Sequence, residues 1–299
     1  MTKSDKTSVV IVDENIAREG DLEITVQEAK KKPTESPAHK QFFNITQQFG
    51  LEAAIQPIEQ KMPIEDRCRK RARLSSLRKQ KNIETIMEKT YHFCGSKSID
   101  KRTDLDWFNR FITLAEDVSN NTMQDLWAKI LAGELARPNT YSLKALKVFR
   151  DMSIADAKLL AKACSLAVKD KTKKNIRLIS GCYQQPGLLN FFSKERQQYI
   201  SLSQFGLNYA DLLSLADNHL IFIQESESGI WANNELINFS YSGVPLKLTS
   251  KKANISLQFY KFTAIGVELA NLIGDKANDD FMSHLKQQLS HHFEIASSE

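Results

Sequence analysis

DLDWFNRFITLAEDVSNNTMQDLWAKILAGELARPNTYSLKALKVFRDMSIADAKLLAKACSLAV, Asp104 to Val168, decides the fold. It holds two of the three tryptophans and the clearest helix punctuation in the chain. Trp107, Phe108, Phe111, Ile112, Leu114, Ala115 and Val118 form one broad apolar face at helical spacing. Ser119, Asn120 and Asn121 then stop that helix and cap the next, because short polar side chains accept the free N–H groups of a first turn. The second helix presents Met123, Leu126, Trp127, Ile130, Leu131 and Leu135, and it stops at Pro138 with Arg137 beside its last carbonyls. Ser142 caps a third helix carrying Leu143, Leu146 and Phe149. Ser153 and Asp156 have capping-box spacing for a fourth, which carries Ile154, Leu159, Leu160, Ala163 and Val168. The spacing predicts a small bundle of four amphipathic helices. A buried tryptophan removes ~150–250 Å² from water, worth ~4–6 kcal/mol as an upper bound, so Trp107 and Trp127 should dominate its stability.

Upstream, charge rather than apolarity is the signal. The formal net charge is +5, but Lys61 to Asn82 carries nine Lys or Arg against two acids, leaving −2 for the rest. Any electrostatic argument about partners is therefore an argument about this segment. Pro63 can open a helix, and Glu65 and Asp66 suit its positive end. Arg67, Arg69, Lys70, Arg71, Arg73, Arg78, Lys79 and Lys81 then advance around nearly the whole circumference, interrupted by Leu74 and Leu77. A face so charged cannot be buried. Beyond Asn82 come Ile83, Ile86, Met87, Tyr91 and Cys94 at steps of three and four, so the helix is docked at its back and ends near Gly95. Before it, residues 1–62 read as a mostly disordered tail. Lys30 to Lys40 has two prolines and no periodicity, Val9–Val12 has no strand partner, and Gln41 to Ile58 is apolar enough for one short docking helix.

Downstream, Lys169 to Arg177 reads as a polar basic connector and a subdomain boundary. From Leu207 the expected order is helix, strands, helix. Tyr209 to Ala216 forms a helix, Leu220–Ile223 a strand and Glu225 to Gly229 a turn. Ile237, Phe239 and Tyr241, and later Ile255, Leu257 and Phe259, alternate as half-buried strands do. Thr263 caps a helix with Ile265, Val267, Leu269, Leu272 and Ile273, and a last helix carries Phe281, Leu285, Leu289 and Phe293.

Most enzyme chemistry lacks its residues. No G-x-S-x-G, phosphate-binding glycine loop, H-E-x-x-H or calcium loop occurs. The four cysteines are far apart and have no C-x-x-C, so neither a disulfide framework nor a zinc site is expected. His92 and Cys94, two apart on a helix, point in different directions. His284, His291 and His292 read as a tail of solvated histidines. No metal ligand, cofactor or catalytic residue is assigned. Glu134, an acid inside an apolar segment, reads either as a partner for Arg137 at i,i+3 or as a catalytic carboxylate. The apolar runs are far shorter than the ~20 residues of a membrane span, and MTKSDKTS precedes no signal-length apolar region, so a cytoplasmic protein is expected.

The strings DWFNRFITLAEDVSNNTMQ and LWAKILAGELARPNTYSLKALKVF resemble an uncharacterised bacterial family known only as a domain of unknown function. The resemblance is carried by Trp127, Lys129, Ile130, Leu131, Gly133, Glu134, Pro138, Ser142 and Leu143, with Trp107 upstream. Looser similarity extends to QKNIETIMEK, GLNYADLLSLADNHLI and FTAIGVELANLI, about two-thirds of the chain. Asn139-Thr140 replaces the glycine and serine the family tends to have, a difference that matters only if the turn needs a positive φ. The resemblance implies a fold and no catalytic residues. Leu207 to Ile273 is also similar to a winged helix, with Thr263 and Gly266 at the last helix start and Lys247, Lys251 and Lys252 on the wing. Its candidate helix, NYADLLSLAD, has no Lys or Arg, which suits protein contact better than the major groove.

The sequence thus predicts an α+β, mainly helical chain in three parts. These are a tail over 1–62, the basic helix and helical core over 63–168, and a connector with a winged-helix-like unit over 169–299. The leading expectation is a non-enzymatic interaction or regulatory protein with a protein partner and no membrane. The alternative is nucleic-acid binding through phosphate contacts from Arg67–Lys81, helped by Lys169–Arg177 or the wing lysines. The segment lacks interleaved aromatics, so stacking on single strands is not expected. A hydrolase or nuclease stands third, on Glu134 alone.

Overall fold

Ser36 starts the described chain by capping a helix: its hydroxyl accepts the His39 N–H, and Pro37 sits in the first turn, where a missing N–H costs nothing. This helix, α1 (Pro37–Gln48), begins inside the stretch whose prolines were expected to forbid one. The computed structural model describes residues 36–95, 103–172, 174–186, 196–274 and 276–297. The rest of the expected tail, Val9–Val12 included, lies outside them. The chain divides into two units, Met1–Leu77 and Arg78–Glu299, with the boundary inside helix α2 (Ile64–Phe93). In the first unit, α1 leads through 3-10 turns at Glu52–Ala54 and Ile58–Gln60 to the front of α2.

The second unit takes the back of α2, where Asn82, Ile86 and Thr90 are buried at steps of four. Tyr91 and Cys94, expected on that inner face, are instead exposed. The four predicted helices follow as α3 (Leu105–Ala115), α4 (Asn121–Ala136), α5 (Leu143–Asp151) and α6 (Ile154–Ser165). The caps of the last three are the predicted ones: Asn120 accepts from Met123 N–H, Ser142 from Ala145 N–H, and Ser153 and Asp156 form a reciprocal capping box. Inside, Trp107 stacks on Phe111 at 5.5 Å, Phe111 meets Trp127 edge-on at 5.3 Å, and Trp127 meets Phe149 at 5.3 Å. These pairs add ~0.5–1.5 kcal/mol each beyond the area they bury.

The rest is one antiparallel sheet with helices. Its elements are β1 (Val168–Asp170), β2 (Ile176–Gln184), β3 (Gln197–Tyr199), α7 (Tyr209–Asp217), β4 (Ser226–Glu227), β5 (Leu236–Tyr241), β6 (Val244–Ser250), β7 (Ile255–Lys261), α8 (Ala264–Ile273), α9 (Asp279–Leu289) and β8 (Phe293–Ser297). The strand order is β4-β7-β2-β1-β5-β6-β8, with β3 also on β2. The architecture is α+β and mainly helical, as expected, but several particulars differ.

Lys169 to Arg177 is no connector. It is the β1–β2 hairpin at the middle of the sheet, and Val168, assigned to a helix, begins it. The Asp170 carboxylate organises its turn by accepting the Lys174 and Asn175 N–H groups, the Thr172 hydroxyl and the Asn175 amide. The lysines around that turn are what made it read as a linker. Leu220–Ile223 makes only a bridge, Ile221 to Phe262, while part of the expected turn after it pairs as β4. The supposed wing is not a free hairpin, because β5 pairs with β1 and β6 with β8 inside the larger sheet. Phe293 belongs to β8 and not to the last helix. One cluster of buried apolar side chains runs from Ile86 through Trp127 and Val168 to Phe293, so the core continues across the expected boundary at 168.

Candidate functional site

The eight basic residues of α2 fall into unlike groups. In the first unit, Lys70 binds the Glu52 carboxylate, which this hydrogen bond holds below the usual carboxylate range. Arg69, its side chain 81% exposed, reaches Asp66 at 3.4 Å, the long contact of a surface pair. Arg67 is half-buried. Arg71 and Arg73 are exposed and in no ion pair among the described residues. In the second unit, Lys79 donates to Glu116 at 2.5 Å with Asp117 at 3.6 Å, and the Glu116 hydrogen bond holds its ammonium above the usual range. Arg78 is half-buried, and Lys81 is exposed with no carboxylate partner among the described residues. Of the predicted phosphate-binding set, Lys70 and Lys79 are thus already neutralised within the chain.

Part of the signature, Gly133, Glu134, Pro138 and Ser142, meets at one turn. Glu134, 3% exposed, lies in the last turns of α4 and turns its carboxylate onto the loop after Pro138. One oxygen accepts the Asn139 N–H at 2.6 Å, and the other accepts those of Thr140 and Tyr141 at 3.0 Å each. The next N–H, of Ser142, donates at 2.7 Å to Glu268 on α8. Four successive amides are therefore held by two carboxylates. Asn139 has φ +68°, so the turn does need the left-handed backbone that glycine adopts freely and asparagine tolerates. Tyr141 packs over Gly133, where a Cβ would lie 3.0 Å from its ring, and its carbonyl accepts the Trp107 indole N–H at 2.7 Å. Burial, with Glu134 and Glu268 nearby, pushes the Tyr141 phenol up to about 12.

This geometry corrects the sequence reading of Glu134. The carboxylate is spent on three main-chain donors, and the i,i+3 pair with Arg137 does not form among the described contacts. Trp107, Gly133, Glu134, Pro138 and Ser142 are brought together around one turn, while Trp127 packs between Phe111 and Phe149 in the core. His292 is fully buried and His284 half-buried against Phe205, so of the three histidines near the end only His291 is exposed as expected. Among the described residues no group of three or more His, Cys, Asp or Glu is placed to hold a metal ion. No described helix is long and apolar enough to cross a membrane.

A further surface is legible only with the structure. Among the described residues, ten of the 22 exposed large apolar side chains lie between Phe42 and Leu77, among them Phe42, Ile45, Phe49, Ile55, Ile58 and Ile64. Over the same span Ala53 is the one apolar side chain counted in the buried core of the described residues. The composition of Gln41 to Ile58 signalled a helix that docks; it could not show that the helix's apolar side chains face solvent. So many exposed apolar side chains in one short span make it a candidate interaction surface.

A family model described as "Protein of unknown function (DUF2806)" matches residues 66–286, so α1 and the 3-10 turns lie before it. No curated protein and no solved structure matches the chain.

Proposed function

The chain belongs to the DUF2806 family, whose function is unknown, and from that premise we propose a non-enzymatic interaction protein of the bacterial cytoplasm. Its N-terminal helical unit is the surface that takes a protein partner. The observation that supports this reading is the row of exposed phenylalanine, leucine, isoleucine and methionine from Phe42 to Leu77, in a unit whose described residues hold almost no apolar core. Burying each such side chain is worth ~1.5–3 kcal/mol, so a micromolar complex, ~8 kcal/mol net of an association cost of ~4 kcal/mol or more, needs most of these side chains and not three or four of them. The test compares proteins captured from nuclease-treated bacterial lysate by the full chain and by a Phe42→Glu, Ile45→Glu, Phe49→Glu variant. A defined partner held by the first and lost by the second is expected. Identical capture by both chains, with the variant folded, would sink the reading.

A second reading rests on Arg71, Arg73 and Lys81, exposed on α2 and unpaired among the described residues, with Arg69 loosely held. These four suit sequence-blind phosphate contact. With Lys70 and Lys79 already engaged, the logarithm of affinity should fall with that of salt at a slope no steeper than about −4. Arg69→Glu, Arg71→Glu, Arg73→Glu should abolish duplex binding at low salt. Binding that survives this reversal, or is undetectable in the parent chain, counts against it.

A further inference from the structure

We propose that the partner docked by the N-terminal unit presents an acidic amphipathic helix, its apolar side chains on α1 and its carboxylates on the arginines at the front of α2. The inference rests on the docking reading above and adds the chemistry of the partner. Phe42, Ile45 and Phe49 stand at steps of three and four, so they form one stripe along α1, and each is about half exposed. Anchors at i, i+3 and i+7 are the contact that one helix offers another.

The charge beside that stripe has one sign. From Arg67 to Leu77 there are five Lys or Arg and no acid. Arg69, Arg71 and Arg73 are exposed there. The apolar and basic features adjoin at Gly50, where a Cβ would lie 3.2 Å from the Arg71 Cα. Phe49 and Leu51, the exposed chain neighbours of Gly50, therefore emerge beside that turn of α2. One residue further on, the Glu52 carboxylate is already bound by Lys70. This surface thus takes a carboxylate in the way proposed, and a guanidinium can hold one through two parallel N–H donors. Exposed ion pairs add little affinity, so the apolar side chains supply most of it, while the arginines select the sign of the partner and speed encounter.

The arrangement of side chains favours a protein helix over two other occupants. A nucleic-acid duplex would meet the arginines with phosphates and leave the phenylalanines and isoleucines in water. An anionic bilayer would take both groups, but Glu59 and Glu65, both exposed, directly follow the exposed Ile58 and Ile64. Inserting those isoleucines would press two carboxylates onto negative headgroups. At a protein interface the same acids can stay on the solvated rim.

The test is fluorescence-anisotropy titration of the full chain with two synthetic helical peptides. Both have leucine at i, i+3, i+4 and i+7, and their polar positions are all glutamate in one and all lysine in the other. Saturable binding with one site per chain is expected, at least about tenfold tighter for the glutamate peptide, with a preference that shrinks in about 0.5 M salt. Arg69→Glu, Arg71→Glu, Arg73→Glu should reverse the preference, while Lys247→Glu, Lys252→Glu, exposed in the second unit, leave it unchanged. Phe42→Ala, Ile45→Ala, Phe49→Ala should weaken both peptides, and the arginine reversal carries the test should this variant fail to fold. Equal affinity for the two peptides, or a preference that survives the arginine reversal, overturns the inference. So does tighter binding to phosphatidylglycerol vesicles or to a DNA duplex than to the glutamate peptide. A lysate partner that needs the apolar stripe but not the arginines would sink this inference and leave the docking reading standing.

Discussion

Glu134 shows how much structure one carboxylate can organise. Its carboxylate gathers three consecutive buried or half-buried amides, and charged acceptors make the stronger hydrogen bonds of a protein. Glu134→Ala leaves those donors without a partner and should cost about 3–5 kcal/mol; Glu134→Gln keeps one acceptor oxygen and should cost about 2 kcal/mol. Urea unfolding reads both, and a loss under about 0.5 kcal/mol for the alanine variant would refute the account. At Asn139, alanine should cost about 1 kcal/mol and glycine almost nothing, because only the backbone is at issue. Asp156 makes a pH-dependent case. The Ser153 hydroxyl, then its N–H and the Asn218 amide, hold this carboxyl below 3.8 against a smaller opposing effect of burial. A depressed folded pKa contributes stability above the unfolded value and loses it as pH falls through the folded one. The stability gap between the parent chain and Asp156→Asn should therefore be constant near neutrality and close below about pH 3.8. A gap that persists in acid would mean that the cap geometry, not the charge, carries the effect.

At the scale of elements, helix ends were legible and the hairpin was not, for physical reasons. A cap is local: Asn120, Ser142, Ser153 and Thr263 each accept an N–H three residues on, so spacing alone reveals them. The β1–β2 hairpin is held by β5 and β7, some 60 to 90 residues away, and its lysine-rich turn mimics a linker. Phe293 continued the spacing of Phe281, Leu285 and Leu289, yet it pairs as β8 against β6, a contact no local pattern contains. Helix α8 joins both kinds of information. Thr263 accepts the Gly266 N–H and gives its own hydroxyl proton to His219 O, while a Cβ on Gly266 would lie 1.9 Å from Leu220 O. The glycine is thus required by close approach of backbone to backbone. Gly266→Ala should cost more than about 3 kcal/mol and lower the yield of folded chain, whereas Thr263→Ala should cost about 1 kcal/mol. Thermal unfolding of the two variants separates them, and a benign Gly266→Ala would refute the packing described for α8.

Across the whole molecule, apolar burial is unevenly shared. From Ile86 to Phe293 the buried side chains form one cluster that includes helices and sheet alike, which is why a boundary drawn at 168 finds no break in the core. Composition could not reveal that, because the polar turn at Asp170 to Asn175 interrupts the sequence without interrupting the packing. Residues 36–77 present the opposite case, with many large apolar side chains and almost none buried. Such a segment cannot offset the entropy of ordering its backbone, roughly 1–2 kcal/mol per residue, from its own contacts. Hydrogen exchange of the isolated full chain should therefore find the amides of α1 orders of magnitude less protected than those of α4, whose Trp127, Ala128 and Ile130 are fully buried. Addition of the captured partner should raise protection in α1 and leave α4 unchanged. If α1 is as protected as α4 in the chain alone, its apolar face is already covered in solution, and the docking function proposed for it fails with that result.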